Sequence, residues 1–207
     1  MKKLFWSLFV LLFAAMPVAA QTVLVVGDSL SAGYGLRQQE AWPVLLGDRL
    51  KQSGYGHAVV NASTSGDTTA NGLSRIDAAL AAHKPAIVII ALGANDGLRG
   101  LSLKTMRDNL ESMTRKAQAG GAKVLIAGMQ LPPNYGPDYT QKFAATFSEV
   151  AKSTGSALLP FLLDGFASDP QQFLPDGIHP VAAAQPRIVD NLCAPLRSLL
   201  GKPLARR

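Results

Sequence analysis

Val25-Val26-Gly27-Asp28-Ser29-Leu30-Ser31-Ala32-Gly33 is the stretch on which the reading of this chain turns. An apolar, β-branched run ends there in a turn that presents one hydroxyl, that of Ser29. A serine just past a buried strand and just ahead of a helix sits at the strand's carboxyl edge, where open α/β sheets place their ligands. The same position suits an ordinary helix N-cap, and these nine residues do not choose between cap and nucleophile. A nucleophile needs a base, an orienting acid and an oxyanion site from elsewhere in the chain.

Outward from this turn, short apolar runs alternate with longer amphipathic stretches, the pattern of β-α units that build a parallel sheet. The runs predict strands over 22–26, 58–61, 86–91, 123–127 and 157–160. Ile87-Val88-Ile89-Ile90 and Val124-Leu125-Ile126 are apolar without alternation, so these strands are covered on both faces. Helices are predicted over 41–52, 68–83, 102–118, 140–153 and 181–200. Val44, Leu45, Leu46 and Leu50 recur at helical spacing before a stop at Gly54, and Met106, Leu110 and Met113 mark one buried face. Pro186 either kinks the last helix or delays its start. The fold class expected is α/β: a three-layer α/β/α sandwich around a central, mainly parallel five-stranded sheet.

The ends and the composition bound the function. Lys2 and Lys3, a short apolar run from Leu4 to Ala15, and Val18 and Ala20 before Gln21 read as a secretory signal peptide over residues 1–20. A single domain over 21–207, exported to the periplasm, is then expected. The formal charge of +6 falls to +4 once Lys2 and Lys3 are removed. The basic residues are scattered along helices apart from Arg197, Lys202, Arg206 and Arg207, with no aromatic-interleaved stripe, so no nucleic-acid partner is expected. No later segment is long and apolar enough for a membrane anchor. Cys193 is the one cysteine, so no internal disulfide can form, and it reads as a small core residue. The three histidines and this cysteine lack ligand spacing, so no metal is expected.

Three polar segments could join Ser29. Asn61-Ala62-Ser63-Thr64-Ser65-Gly66-Asp67-Thr68-Thr69 follows the second strand, Leu92-Gly93-Ala94-Asn95-Asp96-Gly97 follows the third, and Leu174-Pro175-Asp176-Gly177-Ile178-His179-Pro180 precedes the last helix. Each alone is equally a loop or turn. An amide at Asn95 can donate an N–H into the crevice of Ser29, and the D-x-x-H spacing lets one tight turn bring a carboxylate to an imidazole. His57, at a strand start, and His83, at a helix end where its charge suits the dipole, need no function.

Taken together and in order, these segments resemble the SGNH, or GDSL, hydrolase family. Gly27-Asp28-Ser29-Leu30 with Gly33 and Gly35 resembles its first block, Gly66 the second, Gly93-Ala94-Asn95-Asp96 the third, and Asp176-Gly177-Ile178-His179-Pro180 the last. The resemblance spans all of 21–207 and implies a flavodoxin-like sheet. The G-x-S-x-G elbow of the α/β-hydrolases is not present around Ser29.

The resemblance also assigns roles. Ser29 is the nucleophile, His179 the base and Asp176 the orienting acid, while the N–H groups of Ser29 and Gly66 and the Asn95 amide form the oxyanion hole. No cofactor is implied. The segments 91–100, 131–136 and 176–186 are similar to the branch of the family that hydrolyses acyl-CoA thioesters, aryl esters and lysophospholipids in the bacterial periplasm. Small acyl esters and thioesters are therefore the expected partners, and the protein is expected to be a monomer. Leu98, Leu101, Leu131, Pro132, Pro133 and Tyr135 are an apolar set that could line an acyl groove or simply pack over the sheet edge. Gly97 and Gly100 leave the first loop free to move over a bound chain. The alternatives are a carbohydrate O-acetylesterase of the same fold and an exported binding module without turnover.

Overall fold

A computed structural model describes residues 21–203, so the signal-peptide reading of 1–20 and the basic pair Arg206 and Arg207 lie outside the described residues. In chain order the elements are β1 (Gln21–Gly27), α1 (Ser29–Ala32), α2 (Trp42–Gln52), β2 (His57–Asn61), α3 (Thr69–His83), β3 (Ile87–Ala91), α4 (Ala94–Leu98), α5 (Leu103–Ala119), β4 (Lys123–Ala127), α6 (Pro137–Thr154), β5 (Ala157–Leu159) and α7 (Gln185–Arg197). All five expected strands form, each within one residue of its predicted ends.

The sheet runs β2-β1-β3-β4-β5, and every pairing is parallel. This is the flavodoxin-like order, in which the chain first steps to one side of β1 and then crosses back to the other. The loops leaving β1 and β3 therefore diverge, and their divergence opens a crevice at the carboxyl ends of these neighbours. Helices α3, α5 and α6 pack side by side, and α2 packs beside α7, giving the two outer layers. Val23 to Val26 and Ile87 to Ile90 are almost fully buried between them. Each such side chain contributes about 1.5–3 kcal/mol relative to exposure, so the two strands that carry the crevice are firmly held.

Several local expectations change. In α2 the buried face is Trp42, Leu46 and Leu50, while Val44 turns outward at 36% exposure. Trp42 opens the helix and takes the first core position, which rotates the apolar stripe away from Val44. The last helix begins at Gln185, after a 3₁₀ turn at Ala182–Ala184, and Pro186 lies in its first turn, where its missing N–H has no partner to lose. Pro186 thus delays the helix and does not kink it. Cys193 is only partly buried, at the edge of the core. Gly97 is not a hinge: it lies inside α4, and a Cβ there would stand 2.5 Å from Phe143 and 2.9 Å from Leu131. It is small because α4 and α6 approach closely.

Candidate active site

The turn after β1 has a division of labour that the sequence leaves open. The residue with extended backbone before α1 is Asp28, and its Oδ1 accepts the Leu30 N–H at 3.1 Å. Asp28 is therefore the N-cap, and Ser29 is the first helical residue. Relieved of capping, the Ser29 hydroxyl faces the imidazole of His179, with Oγ 2.8 Å from Nε2.

His179 is delivered by a short hairpin before α7. Phe173 and Pro180 form an antiparallel bridge, the Leu174 N–H donates to His179 O at 2.8 Å, and the Val181 N–H donates to Gln172 O at 2.9 Å. Buried Gln185 locks the hairpin to the body of the fold. Its Nε2 donates to Pro180 O at 3.2 Å, and its Oε1 accepts the Trp42 N–H at 3.1 Å. Within the hairpin, Asp176 Oδ1 accepts the N–H groups of Ile178 at 2.8 Å and His179 at 3.0 Å. That leaves Oδ2 to face His179 Nδ1 at 2.8 Å. The His179 N–H above all, with the Ile178 N–H and the imidazole, holds the Asp176 carboxyl down from 3.8 to about 2 against opposing desolvation. A carboxylate can only accept, so Nδ1 carries the imidazole proton and Nε2 is free to accept from Ser29. Tyr34 lies against the His179 ring at 4.4 Å between centroids.

Gly66 and Asn95 come from the loops after β2 and β3. Gly66 adopts φ +83, a left-handed conformation open to glycine at little cost, and its N–H makes no backbone hydrogen bond among the described residues. Asn95 Nδ2 donates one N–H to Asp67 O at 3.0 Å, and Arg99 Nη2 donates both to Asn95 Oδ1 at 3.3 Å and to Gly66 O at 3.0 Å. Deeper in, buried Asp96 accepts the N–H and hydroxyl of Thr69 at 2.8 and 2.6 Å, tying α4 to the start of α3. Arg75 ties the Gly66 loop to the Ser29 turn: it pairs with Asp67 at 2.7 Å and donates to Ala62 O and, at 3.2 Å, to Gly27 O.

Asp28 has a second property. Burial pushes its carboxyl up to about 7, opposed by the Leu30 N–H and assisted by the negative charges of Asp67 and Asp96. Its Oδ2 is buried without a hydrogen-bond partner. Because the folded value lies above the unfolded one of 3.8, the unfolded chain releases this proton first as pH rises. Asp28 thus subtracts from stability between pH 3.8 and about 7, and no further above that. Asp28→Asn, which keeps a capping oxygen, is expected to flatten that part of the stability profile in urea titrations; an unchanged slope would show that Asp28 ionises freely in the fold.

Ser29 and His179 open onto a cavity of about 580 Å³. Its apolar wall includes Leu98, Leu131 and Pro132, which the sequence singles out, together with Phe161, Leu163 and Phe173, which it does not. Leu101 and Tyr135 lie outside this lining: Leu101 is 44% exposed, and the Tyr135 hydroxyl donates to Leu98 O at 3.0 Å. Asn95 lines the cavity and Gly66 does not. Phe161 and Leu163 occupy an irregular stretch after β5 and Phe173 the first arm of the hairpin, without periodicity to reveal them. Gln185 and Arg75 escape notice because Gln185 meets the Trp42 N–H and Arg75 meets Gly27 O, main-chain atoms distant in sequence.

Similar proteins carry the same architecture. Residues 25–185 match the GDSL-like Lipase/Acylhydrolase family. The chain is 52% identical over 182 residues to Esterase TesA of Pseudomonas aeruginosa, covering 88% of this chain and 90% of that one. The TesA crystal structure superposes with a TM-score of 0.85, over 87% of this chain and all of the other. Identity is 42% to an arylesterase of Vibrio mimicus, over 83% of this chain and 86% of that protein. It is 40% to thioesterase 1/protease 1/lysophospholipase L1 of Escherichia coli, over 93% and 91%. With the match running from the strand before Ser29 to Gln185 behind His179, the chain belongs to the GDSL-like lipase/acylhydrolase family.

Proposed function

We propose that this chain is a serine acyl hydrolase that cleaves carboxylic esters and thioesters through an acyl-enzyme on Ser29. The reading rests on the unbroken hydrogen-bond chain from Asp176 through His179 to Ser29, opening into an apolar cavity. Ser29 Oγ attacks the carbonyl carbon as His179 Nε2 takes its proton. The oxyanion accepts hydrogen bonds from the N–H groups of Ser29 and Gly66 and from the second Nδ2–H of Asn95. Collapse of this intermediate breaks the C–O or C–S bond, and His179 returns the proton to the leaving group. Water then repeats the sequence on the acyl-enzyme and releases the acid. Asp176 keeps the imidazole in the accepting tautomer and stabilises it while charged. No cofactor is needed for these steps, and one chain contains every residue they use, so the chemistry requires no second copy. Residues 1–20 direct export to the periplasm and are cleaved, leaving one hydrolase domain.

The activities named for the relatives (esterase, arylesterase, thioesterase and lysophospholipase) extend to this chain on the same grounds. The cavity favours them over an O-acetylesterase. At about 580 Å³ it falls within the ~300–1,000 Å³ that buries a sizeable ligand, and its aliphatic and phenyl walls suit an acyl chain. Kinetics on short and long p-nitrophenyl esters, palmitoyl-CoA and acetylated sugars test this. Higher kcat/KM for the longer acyl groups, with turnover of palmitoyl-CoA, is expected. Activity confined to acetyl groups would overturn the substrate class.

A further inference from the structure

Asn95 and Gly66 reach one another through a single nitrogen. Arg99 Nη2 donates to Gly66 O at 3.0 Å and to Asn95 Oδ1 at 3.3 Å, so it spans the loop after β2 and the first turn after β3. An asparagine amide has two N–H groups and an accepting oxygen. Here the oxygen takes Arg99, one N–H goes to Asp67 O, and the other has no partner among the described residues. Asn95 lies on the cavity lining beside Ser29. A flipped amide would set its oxygen against the Asp67 carbonyl and its NH₂ against the guanidinium. The two contacts therefore hold the amide with an N–H, and not its oxygen, available to the site. Arg99 has no carboxylate partner among the described residues, so its charge is not neutralised by an ion pair.

We propose that Arg99 is a positioning residue for the oxyanion hole: it sets the spacing of Gly66 and Asn95 and strengthens the Asn95 N–H as a donor. The cation draws electron density toward Oδ1, which makes the amide protons better donors in proportion to the charge that develops on the substrate oxygen. The effect therefore falls on the transition state more than on the bound substrate, and so on kcat more than on KM. Arg99 is exposed and caps nothing by its side chain, so its removal leaves the core untouched.

This inference rests on the reading of Asn95 as an oxyanion donor, and the test separates the two. Wild type, Arg99→Met, Arg99→Lys, Asn95→Ala and the double variant Arg99→Met with Asn95→Ala are compared on one p-nitrophenyl ester, with Tm measured for each. Arg99→Met is expected to lower kcat about tenfold, a factor equivalent to about 1.4 kcal/mol, with KM within about twofold and Tm unchanged. Arg99→Lys, which keeps the charge, recovers part of that loss. In the absence of the Asn95 amide, Arg99→Met costs less than it does in the wild type, because only the contact with Gly66 O is left to lose. Full kcat in Arg99→Met, a Lys variant no better than Met, or the same loss with and without Asn95 overturns the inference. An Asn95→Ala variant with wild-type kcat would instead remove Asn95 from the oxyanion hole, and Arg99's role with it, while leaving Ser29 and His179 untouched.

Discussion

Ser29→Ala is expected to lower kcat by about 10⁴- to 10⁶-fold, the range seen when a triad nucleophile is removed, while Tm moves little. The separation of the two effects follows from the turn after β1. The cap of α1 is supplied by Asp28, and among the described residues the one hydrogen bond of the Ser29 hydroxyl runs to His179. Alanine therefore deletes the attacking atom and no structural contact. Circular dichroism and thermal melting check that the fold persists, steady-state kinetics reads the loss, and a fluorophosphonate probe that labels the wild type should leave the variant unlabelled. Wild-type esterase turnover in Ser29→Ala would end the proposal.

Asp176→Asn is expected to cost about 10⁴-fold in kcat, for a reason of proton placement more than of charge. The asparagine oxygen can still accept the N–H groups of Ile178 and His179, so the hairpin keeps its shape. The amide nitrogen now faces Nδ1 and donates to it, which moves the imidazole proton to Nε2. That nitrogen then offers Ser29 a proton instead of a lone pair. The pH profile tells this apart from a folding defect. Asp176 is held at about 2, below its ordinary 3.8, so it stays ionised above pH 3.8 and sets no limb of the activity profile there. The variant lowers the plateau itself, at every pH above 3.8. Its folded value being depressed, Asp176 contributes stability above pH 3.8 that is lost as pH falls toward about 2, and the variant flattens that acid loss. A plateau within threefold of wild type would remove Asp176 from the reaction.

The five strands and the longer helices are legible in the sequence because buried strands and amphipathic helices write their periods directly. The order of the strands is not, since a run such as Ile87 to Ala91 says that it is covered on both faces and not which neighbours it has. Around the site, motif spacing brings Ser29, Asn95, Asp176 and His179 into view, because each stands at the end of an element in a segment rich in turn residues. What stays hidden is whatever depends on main-chain partners far along the chain. Gln185 anchors the hairpin through the Trp42 N–H, Arg75 holds two loops through Gly27 O and Ala62 O, and Arg99 reads Gly66 O. The sequence also cannot rank neighbouring cap candidates: Asp28 and Ser29 are both good caps, and backbone conformation alone decides that Asp28 takes the role.

The hydrogen bond from Ser29 to His179 joins residues 150 positions apart, and the hairpin that supplies the imidazole is clamped only when Gln185 meets Trp42 at the start of α2. The first site residue to be synthesised thus waits for nearly the last. Contacts so distant in sequence close late, because the loop entropy must be met before they return any stability. A nascent or still-unfolded chain therefore carries an inert serine, and hydrolytic power arrives with the completed tertiary structure. For an enzyme proposed to cross a membrane before it folds, that timing keeps acyl transfer silent in the compartment where the chain is made.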